Sequence, residues 1–417
     1  MRFAMKKIAV SLLTLALVGC SGQSAMMPMN NQTMNPALMG RAPLGALNAA
    51  SAESQIFTAH FVNAYRGPVA ENEPTARRDP NGPAQALIKL INGARQTLDG
   101  AFYDIGSEEA VAALIAAQQR GVRVRIVTDT DNMTERDTGR NGPIRGVIAK
   151  LQQAGIPVVD DKRSGIMHHK FLIADNQAVW MGSTNLTNTS MYQHNNNALT
   201  IRVPQITANY NYEFERMFTQ KVFGPQPPRQ IPHPVVKVGN TTIQTFFSPK
   251  GGGREALLDV ANKAQKRLHF MTFSFTDKDI ANVMVQKRQA GVWVDGIFDR
   301  CLGFGQYSAY HLLRQGNVIS RMDGNQALLH HKIMLADDTV VTGSFNFSSN
   351  ADNSNNENML IIQNSYVAGM YRQEYERIMN AAKTNNPPQG ECPGQKPAPQ
   401  PGTPVDDTPI SSRAAVL

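Results

Sequence analysis

One polar pattern is written twice in this chain. Residues 168–175 read His-His-Lys-Phe-Leu-Ile-Ala-Asp, and after six residues comes Gly-Ser-Thr-Asn; residues 330–337 read His-His-Lys-Ile-Met-Leu-Ala-Asp, and after five residues comes Gly-Ser-Phe-Asn. The two blocks lie about 160 residues apart, each inside an otherwise apolar stretch. One copy could arise by chance. Two copies with matching internal spacing point to a duplicated structural unit and to two half-sites in one chain.

The duplication extends beyond the blocks. Ala84–Thr97 has helical spacing and is followed by the strand-like Leu98-Asp-Gly-Ala-Phe-Tyr-Asp; Glu108–Arg120 is again helical, and Gly121-Val-Arg-Val-Arg-Ile-Val alternates as a strand does. The second half predicts the same order, with helices over Glu255–Lys266 and Asp277–Ala290 and strands over Leu268–Phe275 and Gly291–Phe298. Phe214-Glu-Arg-Met-Phe and Tyr375-Glu-Arg-Ile-Met repeat as well. Alternating strands and helices predict an α/β fold: two similar α/β sandwich domains related by a pseudo-two-fold axis. The first domain is expected over 56–220 and the second over 241–382. Between them 221–240 reads as a linker, because Gly224-Pro-Gln-Pro-Pro-Arg-Gln-Ile-Pro-His-Pro breaks both periodicities.

The ends of the chain are different in kind. Arg2, Lys6 and Lys7 precede the apolar run Ile8–Val18, which is too short to span a bilayer and reads as part of an export signal over 1–19. That run ends Leu17-Val18-Gly19-Cys20, which resembles a bacterial lipobox, so Cys20 is the expected lipidation site. Ser21 in place of an aspartate suggests sorting to the outer membrane, facing the periplasm. Residues 20–55 read as a flexible tether, and 383–417 as a disordered Pro-rich tail. Cys301 and Cys392 remain, and an exported chain permits them to pair without requiring it. Of the formal charge of +8, three units belong to the signal, which leaves a mildly basic body suited to anionic partners. With 41% apolar and 18% charged residues the chain can build a large core.

Within each block the chemistry follows from strand geometry. His168 and Lys170 are two apart and share one face, as do His330 and Lys332, while the neighbouring His169 faces the other way. The returning strands end in Ser183 and Asn185, and in Ser344 and Asn346. Lysine supplies fixed positive charge and Asn and Ser supply neutral donors, a set that suits the oxygens of a phosphoryl group in transit. One histidine is able to attack phosphorus while the other protonates the leaving oxygen and later activates water. Paired histidines also bring zinc to mind, but lysine stands beside them and no Cys or carboxylate lies at ligand spacing, so neither metal nor cofactor is expected.

Doubled HxKxxxxD…GSxN blocks resemble the phospholipase D superfamily, over roughly residues 80–382. The resemblance implies two α/β domains around one site, with His168 as nucleophile and His330 as general acid and base. It adds Lys170, Lys332, Asp175 and Asp337 to the catalytic signature, although the turn position of the two aspartates suggests that they hold the structure. Ser183, Asn185, Ser344 and Asn346 are implied to bind the phosphate. Relatives carry an acid downstream of each histidine that orients it; here the matching positions are Asn196 and Glu357, which leaves the choice of nucleophile open.

A lipid anchor and the absence of a basic tract favour phospholipid as substrate, hydrolysed to phosphatidic acid and free headgroup through a phosphohistidine. A metal-independent endonuclease of the same superfamily is the alternative, with nucleic acid as partner. A third reading is a non-catalytic phosphate- or lipid-binding protein. Both half-sites in one chain predict a monomer.

Overall fold

The apolar stretch of each block is a buried strand of a mixed sheet. The computed structural model describes residues 52–384, apart from 66, 68, 136–137 and 226–229. In the first half the strands are β1 (Phe57–Phe61), β2 (Thr97–Phe102), β3 (Arg123–Thr128), β4 (Val158–Asp160), β5 (Lys170–Ala174), β6 (Ala178–Gly182) and β7 (Asn197–Ile201), in the sheet order β1-β7-β6-β5-β2-β3-β4. The second half adds β8 (Val235–Val238), β9 (Thr241–Phe247), β10 (Arg267–Thr272), β11 (Trp293–Phe298), β12 (Ile319–Met322), β13 (Lys332–Ala336), β14 (Thr339–Gly343) and β15 (Asn358–Gln363). Its order is β12-β11-β10-β13-β14-β15-β9-β8, the same topology with one extra edge strand.

The motif strands β5 and β13 lie at the centre, each antiparallel both to its hairpin partner and to β2 or β10. Every residue of β5 and of β13 is buried, which is why they read as apolar runs rather than as alternating ones. The helices that follow β2 and β10 are Glu108–Gln119 and Lys278–Gln289. Ser107 caps the first through the Ala110 amide, and Asp277 caps the second through the amides of Asp279 and Ile280.

Two core clusters belong to one half each, while the central one draws on both. It contains Phe171, Leu199 and Tyr210 from the first half and Ile333, Leu360 and Tyr371 from the second. The helices Pro204–Phe218 and Ser365–Thr384 contribute to this shared core. Two isolated bridges, Met167 with Asn356 and Asn195 with Leu329, join the halves in matching places.

Three boundaries differ from expectation. The expected linker contains β8, which pairs with β9: Val235-Val-Lys-Val is a genuine strand that the prolines before it conceal. Residues 52–56, expected at the end of the tether and the start of the first domain, are helical. The last helix continues to Thr384, past the expected end at 382. Cys301 is disulfide-bonded. Cys20, Cys392, the export signal and the tail beyond 384 lie outside the described residues.

Candidate active site

The two blocks bring their histidines and lysines together through hydrogen bonds that cross between the halves. His168 Nδ1 donates to Glu357 Oε2 at 2.7 Å, so the carboxylate of the second half orients the histidine of the first. His330 Nδ1 donates to Asn196 Oδ1 at 2.9 Å, the reciprocal pair. The orienting residues thus serve the opposite histidine, not the one upstream of them in sequence. In both cases Nδ1 carries the proton, which leaves Nε2 as the reactive nitrogen.

The lysines are wholly buried and each is tied back to its own block. Lys170 Nζ donates to the His168 carbonyl at 2.6 Å, and Lys332 Nζ donates to the His330 carbonyl at 2.9 Å. Lys170 sits over the Tyr103 ring and Lys332 over the Phe273 ring. The same two rings abut the histidines, with centroids 5.1 Å apart for Tyr103 and His168 and 4.7 Å for Phe273 and His330. Burial holds Lys170 down to about 7 and Lys332 well below the usual amine range, the second helped by the positive charge of Lys170.

The two imidazoles sit in unequal fields. Burial lowers His168 to about 4 in spite of the opposing pull of Glu357. Burial also lowers His330 well below the usual imidazole range, with Lys332, His194 and Lys170 adding to the effect. Glu357 is fully buried; burial raises its pKa, but His168 and Lys170 more than offset this and keep the carboxylate ionised.

Asn185 and Asn346 present buried side-chain carbonyls that find no hydrogen-bond partner among the described residues, as suits groups kept for a ligand. Ser183 and Ser344, expected against the phosphate, are fully buried behind this layer. Ser183 Oγ donates to Asn196 Oδ1 at 2.8 Å and accepts from the Asn197 amide; Ser344 Oγ accepts from the Asn358 amide at 3.0 Å. Glycine precedes each serine because the returning strand passes so close: a Cβ on Gly182 would stand 2.3 Å from the Asn197 carbonyl oxygen, and one on Gly343 would stand 2.1 Å from that of Asn358.

Asp175 and Asp337 do not join this group, which corrects their inclusion with the catalytic signature. Both occupy hairpin turns with φ of 52°. Asp175 accepts the amides of Arg95, Gln96 and Thr97; Asp337 accepts those of Gln265, Lys266 and Arg267. They fasten the far end of the motif hairpin to the start of the neighbouring strand.

Sequence reasoning missed three features. His169 and His331 are buried supports: His331 bonds Asn197 of the opposite half and Glu374, and His169 stands 3.4 Å from Asn358 and Glu213. Asp129 and Asp299, at the ends of β3 and β11, accept the amides of Met167 and Leu329, the residues just before the two site histidines. Burial and the neighbouring Asp161 push Asp129 up to about 7, and burial pushes Asp299 up to about 6. Their place after the repeated strands was a usable signal. The third is His194, half-buried with its ring centroid 6.2 Å from that of His330.

Known proteins match this arrangement. The family model described as cardiolipin synthase, PLD-like domain, matches residues 87–218 and 257–379, more than half of the chain. A phospholipase D of Rickettsia typhi is 26% identical over 194 residues, 44% of this chain and 95% of that protein. Human mitochondrial cardiolipin hydrolase is 34% identical over 164 residues, 39% of this chain and 55% of its own length. Among solved structures, phosphatidylserine synthase of Haemophilus influenzae overlays with a TM-score of 0.58 at 14% identity, covering 80% of this chain and 90% of that one; this is a likeness of fold.

Proposed function

The chain belongs to the phospholipase D-like family of phosphodiesterases, and on that footing we propose that it hydrolyses phospholipids to phosphatidic acid and free headgroup through a phosphohistidine at His168. The observation that carries the mechanism is the 2.7 Å bond from His168 to the buried Glu357 carboxylate, where its counterpart His330 has only the amide of Asn196. A nucleophilic imidazole gains positive charge as it bonds to phosphorus, and a carboxylate at Nδ1 stabilises that charge more than an amide can. His168 Nε2 attacks phosphorus, and His330 Nε2 delivers a proton to the departing alcohol oxygen. Water then gives its proton back to His330 as it attacks, and the phosphorus–nitrogen bond breaks.

Lys170 and Lys332 cradle the phosphoryl oxygens together with Asn185 and Asn346. An anionic diester between two buried amines adds counter-charge to that of Glu357, so substrate binding favours their charged form. Ser183 and Ser344 act through the backbone and amides behind this cradle.

Phospholipid is favoured by the relatives named as phospholipase D and cardiolipin hydrolase and by the lipobox-like Leu17-Val18-Gly19-Cys20. It is also favoured by exposed Phe304 and Tyr307 on the loop that leaves β11 through Asp299. A lipidated Cys20 would hold the enzyme at the outer membrane facing the periplasm, where a lipid substrate needs only lateral encounter. Purified protein given phospholipid vesicles and plasmid DNA in parallel at low salt tests this. Phosphatidic acid release exceeding nucleic-acid cleavage is the expected result, and DNA cut while vesicles stay intact would replace lipid with the endonuclease reading. Cys20→Ser should release the protein from membranes; wild-type protein found fully soluble would remove the anchor.

A further inference from the structure

Beside the pair Glu357 and Asn196, the pseudo-two-fold sets a second unequal pair next to the histidines. Arg163 clamps the backbone around Asn355, donating to the Ser354 carbonyl at 2.9 Å and to Asn356 Oδ1 at 3.0 Å. The matching clamp is Asn325, which donates to the Gln193 carbonyl at 2.8 Å and to Asn195 Oδ1 at 2.9 Å. The residues held between these bonds, Asn355 and His194, therefore correspond, yet they behave differently. Asn355 Nδ2 donates to Glu357 Oε1 at 3.2 Å and so supports the carboxylate that orients His168. His194 supports nothing of the kind. Asn196 already has its bonds: its oxygen accepts from Ser183 and His330, and its nitrogen donates to the carbonyl and hydroxyl oxygens of Ser190.

The imidazole of His194 makes no hydrogen bond to any described side chain, on a backbone fixed from both sides. It stands beside His330, the ring planes inclined at 49° and the centroids 6.2 Å apart. No direct hydrogen bond joins the two rings, and a centroid separation of 6.2 Å leaves them within the span of one bridging water. The ring of Phe273 lies against His330 as well. Lys332, Lys170 and His168 are the charged or titratable groups that face His330 besides His194, and Lys332 is the one that faces His194. A general acid in this position has no carboxylate to favour its protonated form.

We infer that His194 is a positioning residue for the acid–base half of the site, a second imidazole that shares one proton with His330 through a water and so supplies the proton the leaving group takes. The inference rests on the phosphodiesterase reading above. With a diester anion bound, the proton enters from solvent and is held between the two rings. As the phosphorus–oxygen bond breaks, it passes from His330 Nε2 to the alcohol oxygen, and the water of the second step returns it. Where the His168 side uses a fixed carboxylate, the His330 side uses a titratable partner.

The test uses full-length protein, His194→Asn, which copies the residue that the other half accommodates, and His194→Gln, which keeps a hydrogen bond but cannot carry the proton. Two soluble diesters are compared: bis(p-nitrophenyl) phosphate, whose leaving group needs no acid, and glycerophosphoethanolamine, whose alkoxide does. Both variants are expected to lower kcat on the alkyl diester by roughly 10², at the lower end of what general acid–base help contributes, and to lower it several-fold less on the aryl diester, with KM little moved. Histidine-labelled protein followed by nitrogen NMR should show the His330 titration displaced in His194→Asn. Equal losses on both diesters, full rescue by glutamine, or an unmoved His330 titration would each overturn the proton pair. If the titrations are coupled but wild-type protein hydrolyses neither diester, the phosphodiesterase reading fails and the pair stands.

Discussion

Glu357 and Asn196 occupy equivalent positions, and in the proposed mechanism the difference of one carboxylate for one amide gives the two matching motifs opposite tasks. Glu357→Gln keeps the hydrogen bond to His168 and removes the charge, so it should slow turnover by roughly 10² to 10⁴, the range over which acid–base and charge support act in such sites. Trapping on the acid-impaired His330→Ala background should find phosphate at His168, and label at position 330 in protein that retains it would reverse the roles. The pH dependence follows from the same residues. His168, held near 4, is neutral and nucleophilic above that value. Lys170, held near 7, loses its charge above it. For a soluble aryl diester, whose leaving group needs no acid from His330, kcat/KM should therefore rise through about pH 4 and fall through about pH 7, reporting the free enzyme. A profile flat far above neutrality would show that Lys170 keeps its proton without substrate.

The motif hairpins illustrate what a sequence can and cannot disclose about an element. Apolar runs bounded by Ala-Asp turns made β5, β6, β13 and β14 legible, and repeated glycine-led strands disclosed β3 and β11. The short edge strands β1, β4 and β12 carry too little periodicity to stand out, and β8 hides behind prolines. The residues of the site were legible because they are duplicated, whereas the crossing of Glu357 and Asn196 was not. Which half a side chain serves depends on how two sheets face each other, which local spacing does not encode. The role of Asp175 and Asp337 was half legible, since a turn position hinted at structure while the signature counted them with the chemistry. Each carboxylate satisfies three backbone amides, so Asp175→Ala should cost about 1–3 kcal/mol, the range for leaving such donors poorly paired. Thermal unfolding should show a lower Tm for Asp175→Ala and for Asp337→Ala, with kcat per folded molecule nearly unchanged; a collapse of kcat at unchanged Tm would return them to the chemistry.

At the scale of the molecule the two halves are repeats in topology but not independent in energy. The described residues form one compact unit. The central core interleaves Phe171 and Tyr210 with Ile333 and Tyr371, and the buried bonds from Asn197 to Thr342 and from Asn358 to Tyr210 also cross between the halves. Separating the sheets would expose that apolar layer and strand Glu357, Lys170 and Lys332 without their surroundings, a cost that neither half recovers alone. The described body should consequently unfold in one cooperative transition, with circular dichroism and tryptophan fluorescence tracing the same denaturant midpoint. The probes divide well between the halves, because Trp180 lies in the core confined to the first and Trp293 sits on β11 of the second. Tyr210→Ala, in the first half, should lower the midpoint reported by both tryptophans equally, since its ring packs against Phe171 and Phe247 across the shared layer. Two separated transitions, or a midpoint that moves for Trp180 alone, would mean that the halves hold together only through the site, and that the common core contributes little to their union.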